Sequence, residues 1–448
     1  MSSAYLKTAS CEIICHCDQV HCLPDPKHVP IDAICFSISE SRMYTGSKSF
    51  IFHCLNDCTV LNWISFSFVK SRHPVLNSSQ VELIHCKNEA NLLRSFFTKL
   101  HCEDPDFLIG YDLEKLSFGY ILKRSKFILN GDEMLFIGRS PTTHLSDINQ
   151  LIGETYAHNE IMHHSVAPGR ELINIWKQYR HYHNPKSTDL FSAILNLLSI
   201  KFPIMSHENL SSWVSSSNSQ HMKFALKYIW KQTLVNFMLI SKMDIIPKIS
   251  ASSRINGVIF HDAYNRGSQF QVESIMIRNS RKYNYLLPSV SVKQRNYMAP
   301  IMSIPLTLEP ATKFYTNPVI VLDFQSLYPS IMIAFNYCYT TCLGLADNYK
   351  KSDGPFLKLG TLYYEPSCQN IKSILDNAKF SPNGTGFVEQ KARQGMLPSL
   401  LKQLLRCRIL AKTYMKRKKS DPDKAKDFDF LQMGLKLLSN VFFGYSAA

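Results

Sequence analysis

The chain has 448 residues, 45% of them hydrophobic, with 50 Lys+Arg against 35 Asp+Glu for a formal charge of +15. That apolar content can fill the cores of about two to four domains, and the positive excess favours a polyanionic partner, nucleic acid first. No run of about 18 apolar residues occurs, and the opening MSSAYLKTAS lacks a hydrophobic leader core, which argues against membrane insertion and secretion.

Thirteen cysteines without a secretory signal point to reduced thiols. Cys11, Cys15, His16, Cys17, His21 and Cys22 crowd together as zinc ligands can. They form no C-x-x-C pair, however, and Cys11, Cys15 and Cys17 share strand parity with Ile13, so a cysteine-rich strand is the better reading. Up to about residue 240, strand-like runs (31–39, 49–53, 60–69) alternate with helical ones (88–100, 190–198), the pattern of an α/β domain. Serine-rich stretches at 211–219 and 250–253 read as loops or linkers. A mixed β segment then leads to Val319, Ile320, Val321 and Leu322, a run that ends on Asp323. The expectation is a buried strand presenting one hard oxygen ligand at its end. A carboxylate in so apolar a setting must be paired, hydrogen-bonded or bound to a cation. The plainer reading is a strand-end Asp that caps the following helix. SLYPSI then turns tightly, with Pro329 fixing φ and removing a donor.

Turn-rich loops (351–354, 381–386) precede two closing helical segments. In the first, Leu397, Leu400, Leu401, Leu404, Leu405 and Ile409 make an apolar stripe, while Arg408 and Lys412 stand four apart and project the same way. The second places Lys436 and Asn440 four apart. Alone, each is a basic surface helix; as neighbours, their four donors suit a triphosphate. The string MKRKKS (415–420) reads as a solvated helix end or a nuclear address.

Taken together, D-x-x-S-L-Y-P-S-I at 323–331, R-x-x-x-K at 408–412, K-x-x-x-N at 436–440 and Phe443-Gly444-Tyr445 resemble the motifs of the family B DNA polymerases. RGSQFQVES (266–274), SLYPSIMIAFNYC and GLKLLSNVFFGY resemble its zeta-type branch, the translesion extenders. The resemblance runs from about residue 9 to 448 and is densest after 264. It implies an α/β and α+β multidomain chain: an RNase H-like 3′–5′ exonuclease-type domain (1–240), the first part of a palm (241–345) and a palm/fingers segment (346–448). It also implies the roles. Asp323 and the Phe324 carbonyl would bind Mg²⁺, two ions in the complete enzyme. Backbone N–H groups around Ser326 and Leu327 would hold the β- and γ-phosphates, and Tyr328 would be the steric gate beneath the deoxyribose. Arg408, Lys412 and Lys436 would neutralise the leaving pyrophosphate, and Asn440 would meet the triphosphate or closing base pair. Implied partners are primer–template DNA, dNTPs and accessory polymerase subunits, in the nucleus. An iron–sulfur cluster (4Fe-4S) is expected only in a C-terminal region not covered here.

Two departures from the family pattern stand out. The second palm aspartate belongs to a Y-G-D-T-D-S hairpin, which this sequence does not contain; its D-x-D strings (104–106, 421–423, 427–429) lie in turn or charged-loop contexts. The chain therefore reads as a fragment of a polymerase. In the exonuclease-type domain, D-x-E falls on Glu12 and Ile14, Ser117 stands where a metal-binding Asp belongs, and Y-x-x-x-D becomes Tyr228 and Gln232. One carboxylate of four survives, so a scaffold without proofreading is expected. Two other classes are a non-catalytic DNA-binding product, which the missing aspartate favours, and an active nuclease. For the nuclease, the deciding observation is whether another Asp or Glu converges on Glu12.

Overall fold

The computed structural model describes residues 6–16, 24–40, 44, 46–55, 80–115, 117–129, 136–140, 166–216, 218–287, 291–292, 296, 308–345, 357–359, 362–364, 377–382 and 384–446. It comprises two compact units, Met1–Ile245 and Ile246–Ala448.

The first unit is built on a six-stranded sheet of β1 (Thr8–Cys15), β2 (Ile31–Ser39), β3 (Lys48–His53), β4 (Gln80–His85), β5 (Phe107–Gly110) and β6 (Glu171–Asn174), in the order β4-β3-β2-β1-β5-β6. β1–β2 and β2–β3 are antiparallel, whereas β3–β4, β1–β5 and β5–β6 are parallel. Period-two alternation sends Cys11, Ile13, Cys15, Phe36 and Phe52 to one face. There they pack with Phe96 and Leu100 of α1 (Glu89–Glu103) and Phe118 and Ile121 of α2 (Phe118–Ile128). Cys11 and Cys15 are thus buried thiols beside Ile13, as the strand reading expects; Cys17, His21 and Cys22 lie outside the described residues. Arg124 joins the two helices: it grips Glu89 through Nε (2.8 Å) and Nη2 (2.9 Å) and donates to the carbonyls of Pro26 and Lys27. A bidentate ion pair with its remaining donors satisfied is the form that tolerates burial.

Three further helices, α3 (Ile175–His183), α4 (Leu190–Leu198) and α5 (His207–Ser215), lead to the long α6 (Ser219–Met243). α6 covers the other face of the sheet along a polar seam. The strand register sets Ser10, Ser37 and Ser49 side by side across β1, β2 and β3. Trp230, Thr233 and Asn236, three residues apart on α6, meet that row. Trp230 Nε1 donates to Ser49 (2.9 Å), Thr233 Oγ1 lies 2.6 Å from Ser37 Oγ, and Asn236 Nδ2 donates to Ser10 (3.1 Å) and to Glu12 Oε1 (2.7 Å). Buried polar groups are tolerable when paired in this way.

The second unit begins at the second residue of α7 (Ile245–Asn256), followed by α8 (Phe260–Asn265) and α9 (Ser268–Lys282). After them come α10 (Leu327–Ala334), a three-stranded antiparallel sheet of β7 (Cys342–Leu345), β10 (Ala378–Phe380) and β11 (Thr385–Val388), and a separate hairpin of β8 (Leu357–Leu359) and β9 (Leu362–Tyr364). The helical hairpin of α11 (Met396–Arg417) and α12 (Pro422–Ser446) closes the chain, as the two closing helical segments predict. Val272, Met276, Met332, Leu397, Leu401 and Phe442 make one core from α9, α10, α11 and α12. Asn336, buried with φ +58°, fastens it: Nδ2 donates to the Val388 and Arg393 carbonyls (both 2.8 Å), and Oδ1 accepts from Gly395 N (2.9 Å). α11 has Gly395 at its N-cap and no side-chain cap of its own. Thr340 Oγ1 accepts from Met396 N and Cys338 Sγ from Leu397 N, so two of its orphan N–H groups find partners in the segment after α10.

Several expectations are corrected. The serine-rich 250–253 stretch lies inside α7, where Ser253 Oγ donates to the Val258 carbonyl and Ser252 accepts from Asn256 Nδ2. The 211–219 stretch ends α5 and starts α6, with only a short break between; Ser206 and Asn218 cap the two helices. Local side-chain hydrogen bonds and buried apolar neighbours outweigh the weak helix preference of serine. The expected mixed β segment instead opens with helices as far as Lys282, because Val272, Ile275 and Met276 recur at helical spacing and reach the core, and no strand is described between Lys282 and Asp323. The run 319–322 is extended but pairs with no strand, and Ile320 and Leu322 are 81% and 89% exposed. A strand needs a ladder partner, and no described strand supplies one. Ile409 leaves the expected stripe at 59% exposure, and Asp427 and Asp429 lie within α12, not in a loop. Residues 60–69 and 351–354 fall outside the described residues.

Two outcomes are expected from these contacts. Asn336→Ala removes three hydrogen bonds and leaves buried backbone groups unmatched, so the second unit should lose about 2–4 kcal/mol in urea unfolding. A loss under about 0.5 kcal/mol would show that the clamp is idle. Burial raises the Glu12 carboxyl from 4.5 to about 8, with the Asn236 bond opposing and the Asp112 charge adding to the rise. The folded state then holds a proton that the unfolded state has released. Stability from this site is complete below about pH 4.5 and is lost as pH rises towards 8. Glu12→Gln should flatten that slope and make the domain more stable than wild type at about pH 9. All four tryptophans (Trp63, Trp176, Trp213, Trp230) lie in the first unit, so their fluorescence reports its unfolding directly.

Candidate active site

α10 opens on Ser326, held in the left-handed region (φ 54°, ψ 54°), with no side-chain cap on the helix. That turn leaves the first N–H groups of α10 without intrahelical partners, a natural seat for an anion. Arg408, on α11, reaches the same place: its Nη1 makes a long 3.5 Å contact to Ser326 Oγ, while its buried Nε has no partner among the described residues. Tyr328, on the first turn of α10, stacks on Phe443 of α12 at 4.2 Å and 10°. Three helices thereby bring Ser326, Tyr328, Arg408 and Phe443 together. Behind the Tyr328–Phe443 stack opens a cavity of about 580 Å³, lined by Met332, Tyr337, Cys338, Phe387 and Leu397 among others.

Lys412 is half-buried one turn beyond Arg408, and Lys436 and Asn440 are exposed on α12. Tyr414 stacks on Phe428 across the hairpin (5.6 Å), and counting back along the two antiparallel helices puts Lys436 roughly level with Arg408, within about one turn. Leu327 follows Ser326 directly and contributes its backbone N–H.

Asp323 stands differently from its sequence-based expectation. It and Phe324 are exposed in the extended run, three residues before Ser326, so solvation rather than a partner stabilises the carboxylate. Among the described residues no group of three or more His, Cys, Asp or Glu side chains could hold a metal ion. Asp323 with the Phe324 carbonyl offers too few oxygen ligands for a pair of divalent cations. These residues do not by themselves fit a two-metal centre.

The four positions of the expected exonuclease centre also have definite places. Glu12 and Ile14 share the face of β1 turned towards α6, and both are buried. Pairing of β1 with β5 stops at Ser10, and Ser117 Oγ donates to the next carbonyl, Cys11, at 2.6 Å. Gln232 is half-buried on α6; Asn236, one turn later, is the residue that meets Glu12. Tyr228 is occupied in accepting from Met205 N. One further carboxylate, Asp112, lies close enough for its charge to raise the Glu12 carboxyl, giving two acids where hard-metal chemistry needs more. Asp104 and Asp106, the first D-x-D string, are engaged by Arg139, and Arg170 also holds Asp104. Sequence reasoning missed Asn236 and Asn336. The four-residue step from Gln232 was a usable signal for the first; nothing in a lone Asn announces the second.

Comparison with known proteins identifies the family. The model of DNA polymerase family B matches residues 258–448, and that of the DNA polymerase family B exonuclease domain matches residues 1–167. The DNA polymerase zeta catalytic subunit of Homo sapiens is 31% identical over 432 residues, covering 95% of this chain and 14% of that protein. The subunit of the same name from Mus musculus is 30% identical over 428 residues, again 95% and 14%. That of Schizosaccharomyces pombe is 34% identical over 345 residues, 77% of this chain and 23% of that protein. The chain thus spans between about a seventh and a quarter of these curated relatives. With matches to the exonuclease domain and then to the polymerase domain of that family, the chain belongs to the family B DNA polymerases.

Proposed function

We propose that this chain forms the exonuclease-type scaffold and the nucleotide-binding part of a zeta-type DNA-directed DNA polymerase that extends primers past lesions in the nucleus. The observation that carries the reading is the approach of Arg408 to Ser326 at the open start of α10, with Arg408 Nε unmatched, beside the Tyr328–Phe443 stack. An incoming triphosphate supplies the anionic oxygens this place lacks. Arg408, Lys412 and Lys436 would hold its phosphates, the N–H groups at Ser326 and Leu327 would bind the β- and γ-oxygens, and Asn440 would contact the triphosphate or the closing pair. Tyr328, fixed flat by Phe443, would exclude a 2′-hydroxyl. Mg²⁺ would supply charge stabilisation for phosphoryl transfer; of its ligands Asp323 and the Phe324 carbonyl would lend two oxygens, and the described residues do not complete the set. Primer–template DNA and accessory polymerase subunits complete the proposed set of partners.

The proofreading site is proposed to be silent. Ile14, Ser117 and Gln232 carry no anionic oxygen, and Asn236 engages Glu12. A second reading, a DNA-binding scaffold without polymerase chemistry, has one observation in its favour: Asp323 stands alone in solvent.

Two measurements decide between these readings. Residues 1–448 incubated with labelled primer–template, Mg²⁺ and dNTPs should neither extend nor shorten the primer. Shortening abolished by Glu12→Gln would revive the nuclease, and extension abolished by Asp323→Ala would show the polymerase centre to be complete. In triphosphate binding followed by fluorescence, Arg408→Ala should weaken affinity about 10- to 150-fold, the range of a lost charge-assisted hydrogen bond. A change under about twofold would favour the scaffold.

A further inference from the structure

Arg408, Lys412 and Lys416 follow one another at four-residue intervals on α11, and Lys419 sits in the turn just beyond. At about 1.5 Å per residue, the row advances about 6 Å per step, from the Ser326 contact towards the tip of the hairpin. Like charges at this spacing repel each other. Among the described residues no carboxylate forms an ion pair with any of the four. The acid nearest in sequence, Asp421, is engaged by Lys424 (2.9 Å). The negative end of the helix dipole accounts for Lys416 in the last turn, but not for Arg408 and Lys412 further in. The buried, unmatched Nε of Arg408 marks the inner end of the row as a place that awaits an anion.

We propose that Lys416, with Lys419, extends the nucleotide site outward by a turn, as a cationic track that captures the polyphosphate tail of a nucleoside triphosphate and passes it to Lys412 and Arg408. The inference rests on the nucleotide-binding reading above and adds a capture step to it. No bond is made or broken along the track; it acts through long-range attraction, on the rate of arrival rather than on the hold. Lys416 and Lys419 are exposed, so their charges are screened by salt, whereas half-buried Arg408 is screened less.

The test is stopped-flow binding of a fluorescent deoxynucleoside triphosphate to residues 1–448 at about 0.05 M and about 0.5 M salt. Lys416→Glu should slow association about 3- to 10-fold at low salt, with little difference from wild type at high salt and dissociation changed less than about twofold. Lys416→Arg should behave as wild type, and Arg408→Ala should mainly speed dissociation. Inorganic tripolyphosphate should compete better than pyrophosphate in the wild type, and this preference should shrink in Lys416→Glu. Unchanged association in Lys416→Glu, with binding still weakened by Arg408→Ala, would overturn the track and leave the nucleotide site standing. Loss of single-stranded oligonucleotide binding alone in Lys416→Glu would also overturn it and assign the row to nucleic acid. Absence of saturable triphosphate binding by the wild type would remove both the track and the reading beneath it.

Discussion

The second unit depends on one amide. Asn336 ties the end of α10, the last residue of β11 and the first turn of α11 into a single corner, with three hydrogen bonds from one buried side chain. Its left-handed backbone is what turns the chain after α10, and Cys338 and Thr340, just beyond, supply the caps that α11 lacks. From Gly395 to Arg408 is about 20 Å of continuous helix, so a tilt of only a few degrees at the corner moves the guanidinium by about 1 Å. The distance between Arg408 and Ser326 is therefore set far from either residue. Gly395 fits the same logic: a Cβ there would lie 2.8 Å from Asn336 Oδ1.

The first unit is organised by an opposite demand. Its sheet has one apolar face, packed in the ordinary way, and one face on which a row of serines meets Trp230, Thr233 and Asn236. Hydroxyl and amide groups match each other there, and the carboxyl of Glu12 is drawn into the pattern. Neutral hydrogen bonding thus holds α6 to the sheet on that side, while the opposite face rests on apolar packing.

How much of this was legible depends on what kind of signal each element carries. β2 matches its predicted run residue for residue and α4 likewise, because alternation and helical spacing are local properties. The closing hairpin was equally plain, and motif spacing brought Ser326, Tyr328 and Arg408 to one place. What failed was composition used as a substitute for pattern. Serines at 250–253 read as a linker, yet an apolar face (Ile245, Ile249) carries them into α7. The run 319–322 has every local mark of a buried strand, but strand formation is a property of pairs, and a partner cannot be inferred from one of its members. Asn336 and Asn236 were invisible for a related reason, since their importance lies in which distant groups they bridge.

The Ser117 hydroxyl does the work of one more rung in the sheet. It donates to the Cys11 carbonyl just past the last β1–β5 pair, so the ladder is prolonged by a side chain where the backbone of β5 has already turned away. A carboxylate at position 117 would set two acceptors against each other and leave that carbonyl, in the middle of β1, unmatched. Position 117 therefore tolerates a donor and resists an acid for reasons of folding alone.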